Sequence, residues 1–332
     1  MQSSLLVLDS SKDGWRVRES LTGHLPQTVA FDPQNSNRAY CGTFDSGLWK
    51  TDDGGQTWDM DGMDISDSQV MSLSVSPLER GNNGFNKIFV GTEPSVLYIS
   101  NDGCESWQRM DALNKLKSSI LWSFPPRPWT HHIRWIEPDI NKVGYLFVAI
   151  EAGALVQSHD GGKTWIDGVE TGPFDTHTLS VHLKAPKRLY SSAGDGYFES
   201  FDYGMSWTRP TEGLKHRYLY GLAVNSSDPQ NVVVSASRGA LKAHSVKDAE
   251  SVMYRRAIDG EKWMPVTIGL PEPKGTVISI LAANPKIAGE FYCVNNRGIF
   301  CSDDSGISWH PIKIPWPKEY CLQHPWAIAI KE

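Results

Sequence analysis

An all-β chain closed into a seven-bladed β-propeller is the fold this sequence predicts, and three observations predict it. An eight-residue phrase recurs along the chain, short apolar runs precede each copy, and the copies are spaced by 42 to 58 residues. A period of that length means four-stranded sheets repeated around an axis.

The phrase is Thr51-Asp52-Asp53-Gly54-Gly55-Gln56-Thr57-Trp58, with near-copies at 100–107, 158–165, 200–207 and 302–309. Their common pattern is [ST]-x-D-x-G-x-[ST]-W, with Cys104 in the Gly place of the copy at 100–107, and five such copies are not chance. A sixth copy, at 257–263, is one residue short, and Ser10 to Trp15 reads as a worn seventh. Each copy reads as a hairpin turn. The carboxylate accepts from backbone N–H groups just ahead of it, the Gly permits positive φ, and the hydroxyl residue bonds locally to the main chain. The Trp then starts the return strand and buries its face between units. Asp53, Asp102, Asp160, Asp202, Asp259 and Asp304 are therefore structural.

Each unit reads as strand, Pro-containing turn, strand, polar loop, strand, box and strand. First strands are Gln27–Phe31, Val70–Leu73, His131–Trp135, His177–Ser180, Tyr218–Gly221 and Val277–Ile280, each followed by a proline and a second apolar run. Ser4 to Arg18 looks like the back half of a unit and Trp326–Ile330 like a first strand with no unit after it. Pairing the two termini closes the ring as a seventh blade and removes open sheet edges; six blades is the fallback. Residues 1–332 then form one propeller domain.

Composition agrees. Thirteen Trp, 29 Gly and 20 Pro suit short strands with tight turns. A net charge of −6, without a Lys/Arg run, argues against a nucleic-acid partner. No apolar stretch reaches the roughly 20 residues of a membrane helix, so no membrane partner is expected. The N-terminus lacks the basic and long apolar regions of a secretion signal. Five cysteines without a CxxC pair point to reduced thiols and a cytoplasmic location.

The [ST]-x-D-x-G-x-[ST]-W phrase is the Asp-box, or BNR repeat. Through it the chain resembles the sialidase superfamily, the xyloglucanase-type glycosidases, the sortilin-type receptors and the photosystem II assembly-factor propellers. The stretch Trp129 to Asp139 is similar to bacterial BNR-repeat proteins labelled glycosyl hydrolase-like. The resemblance implies the fold and leaves the activity open. A sialidase would carry an Arg-Ile-Pro motif, which is absent, so no sialidase residue is carried over.

With the boxes between third and fourth strands, the opposite mouth of the channel is built by loops entering first strands and loops joining second to third. Six of the ten His fall at first-strand entrances: His24, His131, His132, His177, His216 and His324; His159, His182, His244 and His310 do not. Imidazoles converging on an axis can bind a divalent transition metal, for which His132, His177, His216 and His324 are the candidate ligands. Alternatively His131 and His177, with Glu151, Asp175, Asp195 and Tyr218, supply acid/base chemistry. Arg127, Arg134, Arg217, Arg238, Asn296 and Arg297 would then hold an anionic substrate. The bland reading is a water-filled channel lined by satisfied polar groups. Two insertions, Gln108 to Pro128 with a short helix capped by Asp111 and Gly239 to Ser251, fall on the same mouth.

Three functions follow. The first is an enzyme of the lyase or hydrolase class acting on a small polar or anionic, sugar-derived molecule, with or without a His-bound metal. The second is a non-catalytic scaffold holding a partner protein. The third is a glycosidase using paired mouth carboxylates, with Glu151 and Asp195 as the pair to check.

Overall fold

The computed structural model describes residues 1–331 except 13, 68, 82–83 and 257–261. Apolar residues alternate with polar ones in short runs cut by Pro and Gly, and each run forms a strand of an antiparallel sheet. An N-terminal hairpin, Leu5–Ser11 (β1) and Gly14–Ser20 (β2), comes first. Six blades follow. Blade 1 comprises Pro26–Asp32 (β3), Asn35–Thr43 (β4), Gly47–Thr51 (β5) and Asp59–Asp61 (β6), and blade 2 Val70–Arg80 (β7), Asn86–Thr92 (β8), Leu97–Ser100 (β9) and Gln108–Arg109 (β10). Blade 3 comprises Ile133–Pro138 (β11), Leu146–Ile150 (β12) and Ala154–Ser158 (β13), and blade 4 Thr176–Val181 (β14), Leu189–Ala193 (β15) and Gly196–Ser200 (β16). Single bridges, Gln157 to Ile166 and Glu199 to Thr208, stand where their fourth strands would be. Blade 5 comprises Tyr218–Val224 (β17), Val232–Ser237 (β18), Ser251–Arg256 (β19) and Met264–Val266 (β20). Blade 6 comprises Ile280–Ala283 (β21), Phe291–Asn295 (β22), Gly298–Ser302 (β23) and His310–Pro311 (β24).

The innermost strands β3, β7, β11, β14, β17 and β21 each pack on the next, and apolar cores fill the wedges between blades. Trp207, Trp263 and Trp309 are buried in these wedges. The two termini meet as expected: Ser3 N and Oγ lie 3.3 and 3.2 Å from Gln323 Oε1, and Ser4 Oγ lies 3.4 Å from Tyr320 Oη. Trp326 and Ile328 pack with Leu8 and Trp15 on the flank of blade 6. Residues 326–330 form no strand ladder with β1, so among the described residues the ring has six blades and a two-stranded hairpin in its gap.

The boxes sit between third and fourth strands and share one bonding scheme. In the first, Asp53 Oδ1 accepts from the N–H of Gln56 and Thr57 (2.8 and 3.0 Å), and its carboxylate also accepts from the hydroxyls of Thr51 and Thr57 (2.8 and 2.7 Å). Asp102, Asp160, Asp202 and Asp304 repeat it. Two consecutive left-handed residues make each turn, at 54/55, 103/104, 161/162, 203/204 and 305/306. Cys104, Tyr203 and Ser305 adopt that conformation at a cost of about 1 kcal/mol where glycine would not. The sixth box, with Asp259, lies outside the described residues.

Candidate functional site at the channel mouth

Inner strands of a propeller would alternate their side chains evenly, but five of the six here are broken by a β-bulge near the mouth end. A bulge adds a residue and re-aims its side chain. In blade 3 the extra residue is Arg134, in blade 4 it is His177, and in blade 5 the irregularity spans Tyr220 and Gly221. Those three side chains are the middle of a polar chain that crosses four blades.

The chain begins in blade 2. Glu93, buried, receives a two-pronged bond from Arg127 (Nε to Oε1 2.8 Å, Nη2 to Oε2 2.6 Å). Arg127 is aimed by the strap 124–130, a closed turn in which Phe124 N–H bonds Thr130 O and Thr130 N–H bonds Arg127 O. His132 lies between two carboxylates, with Nδ1 3.2 Å from Glu93 Oε2 and Nε2–H donating to Glu151 Oε2 at 2.7 Å. Glu151 then faces Arg134 Nε at 3.7 Å and His177 Nε2 at 3.8 Å. His177 Nε2 also stands 3.7 Å from Asp175 Oδ2. Arg134 Nη2–H donates to Tyr220 Oη at 2.8 Å, and its Nε is buried without a hydrogen-bond partner. Asp175 Oδ1 accepts from Ala152 N–H at 2.8 Å. Tyr218 Oη contacts His244 Nε2 at 2.8 Å, and His244 Nδ1 contacts His324 Nε2 at 2.9 Å. The ring of Trp326 closes the chain against His324.

Burial and charge set the protonation of this row. Burial pushes the Glu93 carboxyl up, but bonds and charges from His132 and Arg127 outweigh it and hold it at about 2. Burial lowers His132, yet the charge and bond of Glu151 raise it overall. Burial lifts Asp175, and the nearby Glu151 charge adds to that. Burial raises Tyr220 to about 12 and drops His244 to about 3; His324 is likewise lowered by burial. The mouth thus holds ionised groups in its first half and neutral aromatic ones in its second.

Of the sequence candidates, Arg127, His132, Arg134, Glu151, Asp175, His177, Tyr218 and His324 enter this chain. His131 does not: its ring turns edge-on to Trp122 at 5.6 Å. His216 is held away by Tyr254 Oη at 2.7 Å, which breaks up the four-histidine metal set. Asp195 caps the backbone N–H groups of Phe174 and Asp175, so it is no partner for Glu151. Asn296 is structural, accepting from Val277 N–H and donating to Gly275 O and Cys321 O. Arg217 and Arg297 are exposed on the rim, and Arg238, also exposed, lies 3.7 Å from Glu250. No converging arginine clamp forms, because Arg127 and Arg134 are already engaged. Asp111 caps no helix: it accepts from Arg109 Nε at 2.7 Å, and two 3-10 turns, Leu113–Lys115 and Lys117–Leu121, follow. His244, which is at no first-strand entrance and was not among the candidates, is in the chain, because the blade 5 insertion forms a short helix, Ala240–His244 (α1), whose last residue reaches inward. Tyr220 was missed as an ordinary strand residue, and only the bulge turns it in.

A ring of sheets joined by [ST]-x-D-x-G-x-[ST]-W turns defines a propeller of the Asp-box class. The model of the family described as photosynthesis system II assembly factor YCF48 matches residues 8–172. No curated protein matches the chain. Among solved structures, an ancestral GH74 enzyme aligns with a TM-score of 0.67 at 18% identity, covering 86% of this chain and 38% of its own. The GH74 enzyme of Niastella koreensis aligns at 0.66 and 18%, covering 90% and 47%. YCF48 bound to D1 peptide aligns at 0.57 and 19%, covering 86% and 80%. The chain spans less than half the length of either GH74 enzyme. The match at residues 8–172 covers just under half of the chain, and the solved structures share its fold; the chain is thus similar to Asp-box (BNR-repeat) β-propellers and lacks the Arg-Ile-Pro motif of the sialidases.

Proposed function

We propose that the chain is a non-catalytic propeller whose mouth holds an extended segment of a partner protein. One observation carries this reading: exposed apolar side chains crowd the loops of the same mouth. Ile120, Leu121 and Trp129 on the blade 3 insertion are 87, 72 and 80% exposed, and Phe174, Leu241 and Leu322 stand out on neighbouring mouth loops. Exposed apolar groups around a polar floor whose side chains largely bond one another suit a protein partner better than a small substrate. Arg217 and Arg297 on the rim favour a segment that mixes apolar with acidic residues. The family match to an assembly factor, and the solved relative bound to a peptide, support the same reading. A reducing cytoplasm is the proposed compartment, supported by buried unpaired thiols at Cys41, Cys104, Cys293 and Cys301.

The test is a selection from displayed acidic-apolar peptides, followed by affinity measurement on the full chain. Trp129→Ala is expected to weaken the selected peptides by about 10-fold or more, as anchors at interface centres do. Peptides that bind Trp129→Ala and Phe174→Ala as tightly as wild type would overturn the reading.

A second reading, a glycosidase with paired carboxylates, is favoured by one observation. Glu151 and Asp175 each offer an oxygen within 4.8 Å of the other, close to the spacing of about 5 Å in retaining enzymes. Release of reducing sugar from β-glucans, abolished by Glu151→Gln, would support it over the scaffold.

A further inference from the structure

We infer that Glu151, Asp175 and His177 form a site for one divalent first-row transition-metal ion on the floor of the mouth. The inference is independent of the partner reading, because it concerns side chains beneath the apolar rim. One oxygen from each carboxylate and Nε2 of His177 all lie within 4.8 Å of one another. Two of the three separations are 3.8 Å (to Glu151) and 3.7 Å (to Asp175). A tetrahedral ion with bonds of about 2.1 Å separates its ligands by about 3.4 Å, so small side-chain rotations complete the set.

The tautomer of the neutral His177 ring is fixed independently. Its Nδ1 lies 2.6 Å from Leu219 O, and a carbonyl only accepts, so Nδ1 carries the proton. In the neutral ring Nε2 is then a lone pair, and it points at the two carboxylates. Its other neighbour, Tyr218 Oη, is 3.5 Å away, at the limit of hydrogen bonding, and bonds His244 at 2.8 Å instead. Each ligand also has an orienting partner. Leu219 O holds His177, His132 Nε2–H holds Glu151 at 2.7 Å, and Ala152 N–H holds Asp175 at 2.8 Å. Such partners fix ligand orientation in metal sites.

A second feature points to an occupant. Arg134 is buried, its Nε has no hydrogen-bond partner, and that atom lies 3.7 Å from Glu151 Oε2. A water on the bound ion would give the Nε–H an oxygen to bond. One imidazole with two carboxylates selects Zn²⁺ or Mn²⁺ over Ca²⁺ or Mg²⁺, which favour all-oxygen sets.

The experiment is calorimetric titration of chelator-treated full-length chain with ZnCl₂, MnCl₂ and CaCl₂, with circular dichroism as the check on folding. Wild type is expected to bind one Zn²⁺ or Mn²⁺ per chain, with CaCl₂ at least about 10-fold weaker. Asp175→Asn keeps an acceptor for Ala152 N–H, and Glu151→Gln keeps one for His132, so both are expected to fold. Both are expected to lose binding beyond the 10- to 100-fold that removal of an orienting partner costs. No saturable binding to wild type, or unchanged affinity in either folded variant, would overturn the inference.

Discussion

On the box-bearing face Asp53, Asp102, Asp160, Asp202 and Asp304 each bond within their own turn, whereas at the mouth Glu151 meets His132 and Arg134 of its own blade and His177 of the next. One face repeats a local solution, and the other is a single construction shared among blades 2 to 5 and the C-terminal segment. Local turns fail one at a time. A cross-blade row fails as a unit, because removing one charge leaves its partner buried and unpaired.

The largest expected effect tests that contrast at Glu93. Glu93→Ala leaves Arg127 and His132 facing each other without their shared carboxylate, and is expected to remove about 3 kcal/mol of unfolding free energy. Urea denaturation measures it, and a loss below that of a box variant would break the comparison. A smaller effect is expected from the neutral half of the mouth. His244 is held at about 3 from a usual 6.5, so the unfolded chain binds the extra proton first. The stability His244 contributes is therefore complete above pH 6.5 and declines as pH falls towards 3, by about 1 kcal/mol per pH unit. Melting curves at pH 7 and pH 5 should show a steeper acid loss in wild type than in His244→Gln; parallel losses would remove His244 from the row. The smallest effect belongs to the boxes. Bonds from the Thr164 side chain and backbone hold Asp160 at about 2 from a usual 3.8, so its contribution persists above pH 3.8 and is lost as pH falls through about 2. Asp160→Asn is expected to cost about 1 kcal/mol at pH 7 and to leave peptide binding at the mouth unchanged. A binding loss there would show the faces to be coupled.

The same contrast explains what could be read from the residues. The boxes were legible because a turn with its own hydrogen bonds needs only its own sequence, and their spacing then set the blades. The closure was half legible: the meeting of residues 3 and 323 follows from the pattern, while the ladder that Trp326–Ile330 suggested is absent. At the mouth, spacing located the loops but not the side-chain directions. His131 and His132 are adjacent, yet successive residues of an extended chain face opposite ways, so one meets Trp122 and the other Glu151. The bulges at Arg134, His177 and Tyr220 reset that alternation, and nothing in the residues marks them. His244 arrives on an insertion with no counterpart in other units, so no repeat could align it.

The clasp between Ser3 and Gln323 also fixes an order of events during synthesis. The hairpin of β1 and β2 leaves the ribosome before the blades, but its partner follows only after all six have been made. His324, the last histidine of the mouth, emerges with that clasp. At a translation rate of about 5 to 20 residues per second, the nascent ring spends tens of seconds with its mouth incomplete. The exposed apolar side chains Ile120, Leu121 and Trp129 leave the ribosome well before that clasp can form, so they stand open to water while the later blades are made.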